Sequence, residues 1–278
     1  MLASAKSYDS VEYSRAGGSS LQFDASVPDG PGPFPAVIIV HGGAWVTGDR
    51  KRSVEPLFEP LSKAGLAWFS ISYRLAKSID PASVPSSVAS LLALGAAVDD
   101  VRDAISYVRT HASDYHVDPN RLALLGESAG AQLASMAALK PEAAGMVQAV
   151  VAFYSPSDLV KLLDANPRVP ASVRQALHDS AFGEMLFAGL RDLSPVTWVR
   201  KDSPPFLLVH GTSDMLVPFE QSQAMCEALH TAGASCQLYP VDGGGHGLLW
   251  WESTPDATAY KQVLVRWLND KLRATKQN

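Results

Sequence analysis

Six short, continuous apolar runs alternate with helical patterns along most of this chain. A strand that is apolar at every position needs cover on both faces, which a parallel sheet between two layers of helices provides. Between the runs, apolar residues from Val98 to Val108 recur at helical spacing and form one stripe. This alternation predicts a three-layer α/β fold with a mostly parallel sheet. The predicted strands are Val37–Val40, Ala67–Ile71, Leu122–Leu125, Val150–Phe153, Phe206–Val209 and Cys236–Tyr239.

Two segments depart from this alternation. Residues 1–33 contain two β segments and a Pro/Gly-rich link, and we expect them to add antiparallel strands at one edge of the sheet. Residues 155–200 form a long connection with helical fragments between two predicted strands. Connections of this length usually carry function, so we interpret the segment as a small helical cap. The 278 residues are then a single domain, 1–278, with the cap inserted.

The most specific motif is Gly126–Gly130, which has the pattern G-x-S-x-G. It follows the apolar run Leu122–Leu125 and precedes the helical stretch Gln132–Met136, which is the strand–turn–helix setting in which a serine becomes a nucleophile. The turn is so tight that its flanking positions must lack side chains. We predict that Ser128 is a catalytic nucleophile, the alternative being a simple helix cap.

A nucleophilic serine needs a base and a group that orients the base. Asp214 follows the predicted strand that ends near His210, and His246 lies in the glycine-rich loop after the last predicted strand. The order Ser128, Asp214, His246 is that of the α/β hydrolases. Asp242 is a rival acid, but it lies on the loop of the histidine itself, so we favour Asp214.

The segment His41–Trp45 follows another predicted strand and has the sequence His-Gly-Gly-Ala-Trp. Loops of this type supply backbone N–H groups to an oxyanion hole, together with the residue after the nucleophile. We therefore predict Gly43, Ala44 and Ala129 as oxyanion donors. We expect His41 to brace the loop and not to react.

The composition excludes several other functions. The formal net charge is −5 and no basic stripe occurs, which argues against nucleic-acid binding. No apolar run approaches the roughly 20 residues needed to cross a bilayer. The N-terminus lacks the features of a signal peptide. The compartment is therefore open: cytoplasmic if Met1 is the native start, secreted if a leader has been removed.

Metal-ligand spacing and a disulfide framework are both missing from the cysteine pattern. Cys226 falls in a predicted helix and Cys236 in the next strand, and we expect two separate thiols in preference to a bridge. Asp99, Asp100 and Asp103 share a predicted helix, and we interpret them as a solvated face. We predict no metal and no organic cofactor.

Together these motifs resemble those of α/β-hydrolase carboxylesterases, namely the hormone-sensitive-lipase-type enzymes and the BD-FAE-like bacterial feruloyl and acetyl esterases. The presence of Ala44 and Glu127, where many hormone-sensitive-lipase-type enzymes have glycine and aspartate, favours the feruloyl/acetyl branch. The resemblance implies hydrolysis of small carboxylic esters through an acyl-enzyme. The alternatives are a formamidase with the same triad and a silent binding protein. The motifs are His41–Trp45, Gly48–Arg50, Ser72–Leu75, Gly126–Gly130, His210–Asp214 and Gly244–Gly247.

The substrate is not defined by these motifs. Several side chains belong to segments that should reach the catalytic edge, and aromatic ones could hold a feruloyl ring or a short acyl group, although such residues also fill cores. We expect a monomer or a homodimer whose partner is a small-molecule ester. The predicted substrate contacts are Trp45, Tyr73, Glu127, Tyr154, Trp250 and Trp251.

Overall fold

The computed structural model describes residues 4–76, 86–254 and 258–273. One eight-stranded sheet spans the described part of the chain, in the order β1-β2-β4-β3-β5-β6-β7-β8. The strands are β1 (Ala5–Ala16), β2 (Ser19–Pro28), β3 (Phe34–Val40), β4 (Ala67–Ile71), β5 (Val117–Glu127), β6 (Ala149–Phe153), β7 (Phe206–Gly211) and β8 (Cys236–Val241).

The strand directions confirm the predicted α/β fold. From β4 through β3 and β5 to β8, every neighbouring pair is parallel. The N-terminal strands β1 and β2 pair antiparallel, and β2 pairs antiparallel with β4, so they extend one edge as expected. The carboxyl ends of β3, β5, β7 and β8 consequently lie along one edge of the sheet, which is where ligands bind in open α/β sheets.

Helices cover both faces of this sheet. Strand β3 is apolar throughout because both of its faces are buried. Ile38 packs in the core on the side of α2, α3 and α7, and Ile39 packs in the core on the side of α1, α8 and α9. No helix of the described residues is long and apolar enough to span a bilayer. The helices are α1 (Glu55–Lys63), α2 (Ser86–Thr110), α3 (Ala129–Leu139), α4 (Leu159–Ala165), α5 (Ala171–His178), α6 (Ala181–Asp192), α7 (Glu220–Thr231), α8 (Leu248–Glu252) and α9 (Tyr260–Lys271).

The connection between β6 and β7 contains α4, α5 and α6 and a 3₁₀ turn at Pro195–Trp198. Helix α6 packs against α4, α5 and α2. A small apolar cluster of Leu94, Leu159 and Leu193 joins this segment to the N-terminal half of α2. Helix α5 has no buried residue. The segment therefore sits on the fold through few buried side chains, as expected for a cap, while the single-domain organisation stays a prediction.

Two expectations about individual residues are wrong. Cys226 and Cys236 form a disulfide, because α7 runs back beside β8 and brings their Cα atoms to 5.5 Å. His230 lies within 4.8 Å of both sulfur atoms, so three groups with metal-ligand chemistry meet there, but the two sulfurs are bonded to each other. Asp100 is fully buried and forms an ion pair with Arg74 at 2.6 Å, so it is not part of a solvated face.

Candidate active site

Ser128 lies in the sharp turn between β5 and α3. Its backbone has φ 52° and ψ −121°, a conformation outside the ordinary regions for a residue with a side chain. A Cβ built at Gly126 would overlap the carbonyl oxygen of Gly130, and a Cβ at Gly130 would overlap the carbonyl oxygens of Val40 and His41. The two glycines of the motif are therefore required by close backbone approach, and the turn lifts Ser128 out at the sheet edge.

The imidazole of His246 lies between Ser128 and Asp214. Its Nε2 is 2.9 Å from Ser128 Oγ, and its Nδ1 is 2.7 Å from Asp214 Oδ2. A carboxylate only accepts hydrogen bonds, so Nδ1 carries the proton and Nε2 accepts from the serine hydroxyl. The rival acid Asp242 is exposed, and no hydrogen bond to His246 is found for it in the described structure.

The Asp214 side chain is buried and accepts hydrogen bonds from the backbone N–H groups of Leu216 and Val217, at 2.8 and 2.9 Å. Burial alone would raise the pKa of this carboxyl. The hydrogen bonds from His210, His246 and Val217 outweigh burial and hold the pKa far below its usual value. Asp214 is therefore a permanent anion beside the imidazole at neutral pH.

His210 is a neighbour of the acid that the sequence did not single out. It is fully buried, and its Nε2 donates to the carbonyl of Val217 at 2.9 Å while lying 3.5 Å from Asp214 Oδ2. Its Nδ1 is 2.7 Å from the Ser222 hydroxyl. His210 thus ties the turn that carries Asp214 to the first turn of α7.

Close backbone contact also brings the acid and the base together. A Cβ at Gly211, the last residue of β7, would overlap the carbonyl oxygen of Gly244. Ser213 N–H donates to that same carbonyl at 2.9 Å. The glycine-rich loop therefore rests directly on the end of β7, and this contact sets the approach of His246 to Asp214.

The loop after β3 has an unusual backbone. Gly43, Ala44 and Trp45 have φ values of 117°, 52° and 62°, two of them without the freedom of glycine. The carbonyl of Gly43 accepts the N–H groups of Val46 and Thr47, which closes the loop. Strain of this kind concentrates at functional sites. The assignment of Gly43, Ala44 and Ala129 as oxyanion donors stays a prediction.

Glu127, which precedes the nucleophile, links three parts of the site. It is buried, its Oε1 accepts from the N–H of Gly42 at 2.8 Å, and its Oε2 accepts from the Tyr154 hydroxyl at 2.7 Å. That hydroxyl in turn accepts from the N–H of Leu248, just after the histidine loop, at 3.0 Å. Burial and the Glu127 carboxylate raise the pKa of Tyr154, so its hydroxyl stays a donor.

These contacts correct the prediction that Glu127 and Tyr154 touch substrate. Both side chains are buried next to Ser128 and His246, and the centroid of the Tyr154 ring lies 4.6 Å from that of the His246 ring. They connect the loop after β3, at Gly42, to Leu248, just after His246. The sequence showed a carboxylate next to Ser128. It did not show that the Glu127 side chain points towards Gly42 and Tyr154.

Tyr73 and Trp251 are likewise buried, and the structure corrects their predicted contact with substrate. The Tyr73 hydroxyl donates to the carbonyl of His41 at 3.0 Å, and its ring stacks on the His41 ring. The Trp251 indole N–H donates to the carbonyl of Gly245 at 2.8 Å. These residues support the loops on either side of Ser128. Burial lowers the pKa of His41, which suits a neutral bracing residue.

Trp250 and Trp45 have different positions. Trp250 is 46% exposed and packs near Gly245, outside the cavity beside Ser128. Trp45 lines that cavity, and its indole N–H donates to Gln132 Oε1 at 3.0 Å. The Gln132 amide then donates to the carbonyl of Leu193 at the end of α6, at 2.7 Å. Gln132 therefore connects the loop after β3 to the cap.

A cavity of about 320 Å³ opens beside Ser128, large enough for a small molecule. Ala44, Trp45 and Ala129 line it together with Ser128. Its other walls were not anticipated from the sequence, because they come from unremarkable residues of the cap and of the Asp214 turn. They are Pro156, Leu162, residues 165–168 and residues 215–218.

Known proteins resemble this chain over most of its length. The probable carboxylic ester hydrolase LipM of Mycobacterium tuberculosis is 32% identical over 221 residues, which cover 75% of this chain and 48% of that protein. The chain thus spans about half the length of the curated relatives it matches.

Solved structures have the same fold. A truncated carbohydrate esterase from gut microbiota is 25% identical, with a TM-score of 0.73 over 96% of each chain. Propionate-bound esterase Est2 of Thermogutta terrifontis is 23% identical, with a TM-score of 0.74 over 99% of this chain and 97% of that one. The sequence profile of the BD-FAE family matches residues 24–229. The chain therefore belongs to the BD-FAE family and has the fold of the α/β-hydrolase esterases.

Proposed function

We propose that the protein is a serine carboxylesterase that hydrolyses small carboxylic esters through an acyl-enzyme. The observation that carries the proposal is the pair of hydrogen bonds made by His246, 2.9 Å to Ser128 Oγ and 2.7 Å to Asp214 Oδ2. These distances are within the range at which an imidazole can take a proton from a nucleophile while its other nitrogen is held by an acid.

The reaction follows from the position of the protons. Ser128 Oγ attacks the ester carbonyl carbon as His246 Nε2 takes the hydroxyl proton, and Asp214 stabilises the imidazolium that forms. The imidazolium then gives its proton to the leaving alcohol as the C–O bond breaks. Water, deprotonated by the same nitrogen, attacks the acyl-serine and releases the acid. Each step is carried out by side chains of this chain and a water molecule.

The tetrahedral intermediate places a negative charge on the former carbonyl oxygen. We propose that the N–H groups of Gly43, Ala44 and Ala129 receive that charge, since Ala44 and Ala129 line the cavity beside Ser128. Loss of one such donor typically costs about 10²–10³ in rate. Ala129 is the first residue of α3, so the positive end of the helix dipole adds to this stabilisation.

Acetyl, short-chain acyl and feruloyl-type esters are the proposed substrate class. The cavity of about 320 Å³ and the aromatic wall at Trp45 fit small esters of these kinds. The named relatives include carboxylic ester hydrolases and a carbohydrate esterase. A formamidase would use the same three side chains, but neither the described geometry nor those relatives favour it.

Labelling with a fluorophosphonate probe tests the proposal directly. The probe should modify Ser128 in the folded wild-type protein, and the labelled protein should lose hydrolysis of 4-nitrophenyl acetate. Ser128→Ala should remain folded, resist the probe and retain no more than about 10⁻⁴ of wild-type turnover. Wild-type turnover in that variant, or labelling at another residue, would remove Ser128 from the mechanism.

A further inference from the structure

Arg168 is the one charged side chain among the described residues that line the cavity beside Ser128. The other lining residues are uncharged, and most are apolar, including Leu162, Pro167 and Val217; Asn166 is polar. A single cation on an otherwise neutral wall has a specific consequence. It distinguishes ligands by charge at one point of the cavity, while the apolar walls distinguish them by size.

The Arg168 guanidinium has no side-chain partner among the residues that the structure describes. No ion pair or side-chain hydrogen bond involves it in the described ranges 4–76, 86–254 and 258–273. The neighbouring acid in sequence, Asp164, lies 3.0 Å from His178 instead. By contrast, Arg174 in the same segment donates to the carbonyls of Asn166 and Val169, at 3.1 and 2.5 Å.

The turn that carries Arg168 is held in place without its side chain. The backbone N–H of Arg168 donates to Asn166 Oδ1 at 2.9 Å, and the N–H of Val169 donates to the carbonyl of Asn166 at 3.1 Å. With Arg174 bound to carbonyls on both sides, the backbone is fixed from within the cap. The Arg168 side chain is therefore not needed for local structure, and its donors remain available to a ligand.

The charge of the whole chain makes this cation more informative. With a formal net charge of −5, the protein as a whole weakly repels anions. Screening limits that repulsion to about 10 Å in ordinary buffers, so a local arginine decides what happens at the cavity. The planar guanidinium matches the two oxygens of a carboxylate and can bind both.

We propose that Arg168 makes this enzyme selective for esters that also carry a free carboxylate, with the carboxylate bound by the guanidinium and the ester carbonyl beside Ser128. The inference rests on the proposed esterase function and names its substrate class more closely. The apolar wall at Leu162 and Val217 then contacts the segment between the two groups. No proton or electron moves at Arg168, which acts only in binding.

Two pairs of esters test this inference, one for each side of the scissile bond. The acyl arm compares 4-nitrophenyl hemiglutarate with 4-nitrophenyl valerate, and the alcohol arm compares 3-carboxyphenyl butyrate with phenyl butyrate. Arg168→Gln should lower kcat/KM for the anionic ester about tenfold on one arm, as expected for a partly exposed charged hydrogen bond. The neutral esters should change by less than about twofold.

Rescue and salt dependence separate binding of charge from altered structure. Arg168→Lys should recover part of the loss, since it keeps the charge but not the planar fork. Added salt should reduce the wild-type preference for the anionic ester, because the contact is exposed to solvent. The intrinsic reactivity of each ester cancels, because the rate for each ester is compared only with the rate for the same ester in another variant or at another salt concentration.

Arg191→Gln is the matched control. Arg191 is exposed on α6, outside the cavity lining, so this variant makes the same change of charge elsewhere on the cap. An equal loss in Arg191→Gln, or an unchanged preference in Arg168→Gln on both arms, would overturn this inference while leaving the esterase proposal intact. If the wild type hydrolysed none of the four esters, both this inference and the esterase proposal would be overturned.

Discussion

Two regions near Ser128 are built in different ways: the hydrogen-bonded group of Glu127, Tyr154, Asp214 and His246, here called the floor, and the cap residues Leu162 and 165–168 that line the cavity, here called the wall. At the floor, Glu127 and Asp214 are buried, and each accepts at least two hydrogen bonds of 2.9 Å or less. On the wall, residues 165–168 are exposed, and the helix that follows them, α5, has no buried residue. Both regions border Ser128, but only the floor is fixed by interactions that would be costly to leave unmade.

This difference separates two tasks. Catalysis needs reacting groups held to within a fraction of an ångström, which buried and fully bonded polar groups provide. Selection among esters needs only a surface of suitable shape and charge, which half-exposed side chains on a cap can supply. Substitutions in the floor should therefore change the rate for all esters, whereas substitutions in the wall should change which ester is preferred.

Asp214→Asn attacks the floor most directly. The amide cannot hold His246 in the tautomer whose Nε2 accepts from Ser128, so kcat should fall by about 10⁴ for every ester. Initial-rate assays with acetate and butyrate esters measure kcat for each variant. Asp242→Asn is the matched control on the histidine loop, and a comparable loss in that variant would reassign the acid.

Asp214 should also shape the acid stability of the protein. Its pKa is lowered in the folded state, so the ionised group stabilises the fold at pH values above the usual carboxyl pKa of 3.8. That stabilisation is lost as the pH falls from there towards the folded-state pKa. Chemical unfolding between pH 5 and 3 should therefore show a steeper decline for the wild type than for Asp214→Asn; parallel curves would contradict the assigned contacts.

Glu127→Gln should lower kcat by about 10² with a smaller effect on KM. An amide offers one oxygen in place of two, so its NH₂ group faces either the N–H of Gly42 or the hydroxyl of Tyr154. Misplacing the loop after β3 weakens stabilisation of the oxyanion. Glu184→Gln, an exposed position on α6, is the control. If kcat fell for one ester only, Glu127 would act in the choice of ester, as the wall does, and not in the rate for all esters.

The disulfide lies outside both regions, because it joins α7 to Cys236 at the start of β8, the end of that strand opposite the one that leads to the His246 loop. Replacing both cysteines, Cys226→Ser with Cys236→Ser, should lower the free energy of unfolding by about 2–3 kcal/mol through the gain in freedom of the unfolded chain. The activity of the folded fraction should stay near that of the wild type. Urea unfolding with parallel assays measures both, and a large loss of kcat at full folding would contradict this division.

Leu162→Ala tests the wall with the smallest expected effect. Leu162 lines the cavity from α4, so its truncation should shift the preference between acetate and longer acyl esters a few-fold, about 1 kcal/mol for a small change in an apolar pocket. Turnover of the acetate ester should hardly change. Leu163→Ala, on the same helix but outside the lining, should leave the preference unaltered.

The two regions also differ in how far the sequence could predict them. The strands, their directions and the segment carrying the cap helices follow from local apolar patterns, and the structure confirms the fold. Ser128, Asp214 and His246 were predicted as a set because G-x-S-x-G and the glycine-rich loops have few other uses. Each of these motifs follows a predicted strand, so the sequence also predicted that the three residues lie close together at one edge of the sheet. The supporting positions of Glu127 and Tyr154 were not predicted.

The wall could not be predicted, because its members have no chemical signature. Ala165, Pro167 and Arg168 border the cavity only because the long connection folds back over the sheet edge. The same limitation explains Asp100, whose acidic neighbours indicated a solvated face. Its partner Arg74 lies 26 residues earlier, beyond any local pattern. Pairing of Cys226 with Cys236 likewise depends on how α7 packs beside β8.

Gly130 has a consequence for anyone wishing to diversify this scaffold. Since a methyl group there would collide with the main chain leaving β3, the start of α3 and the start of the loop after β3 must keep their close contact. Randomised libraries should keep Gly130 and vary residues in the segment between β6 and β7. Variants in that segment should keep the arrangement of Ser128, Asp214 and His246, which the sheet positions. They can therefore be screened directly for hydrolysis of other esters.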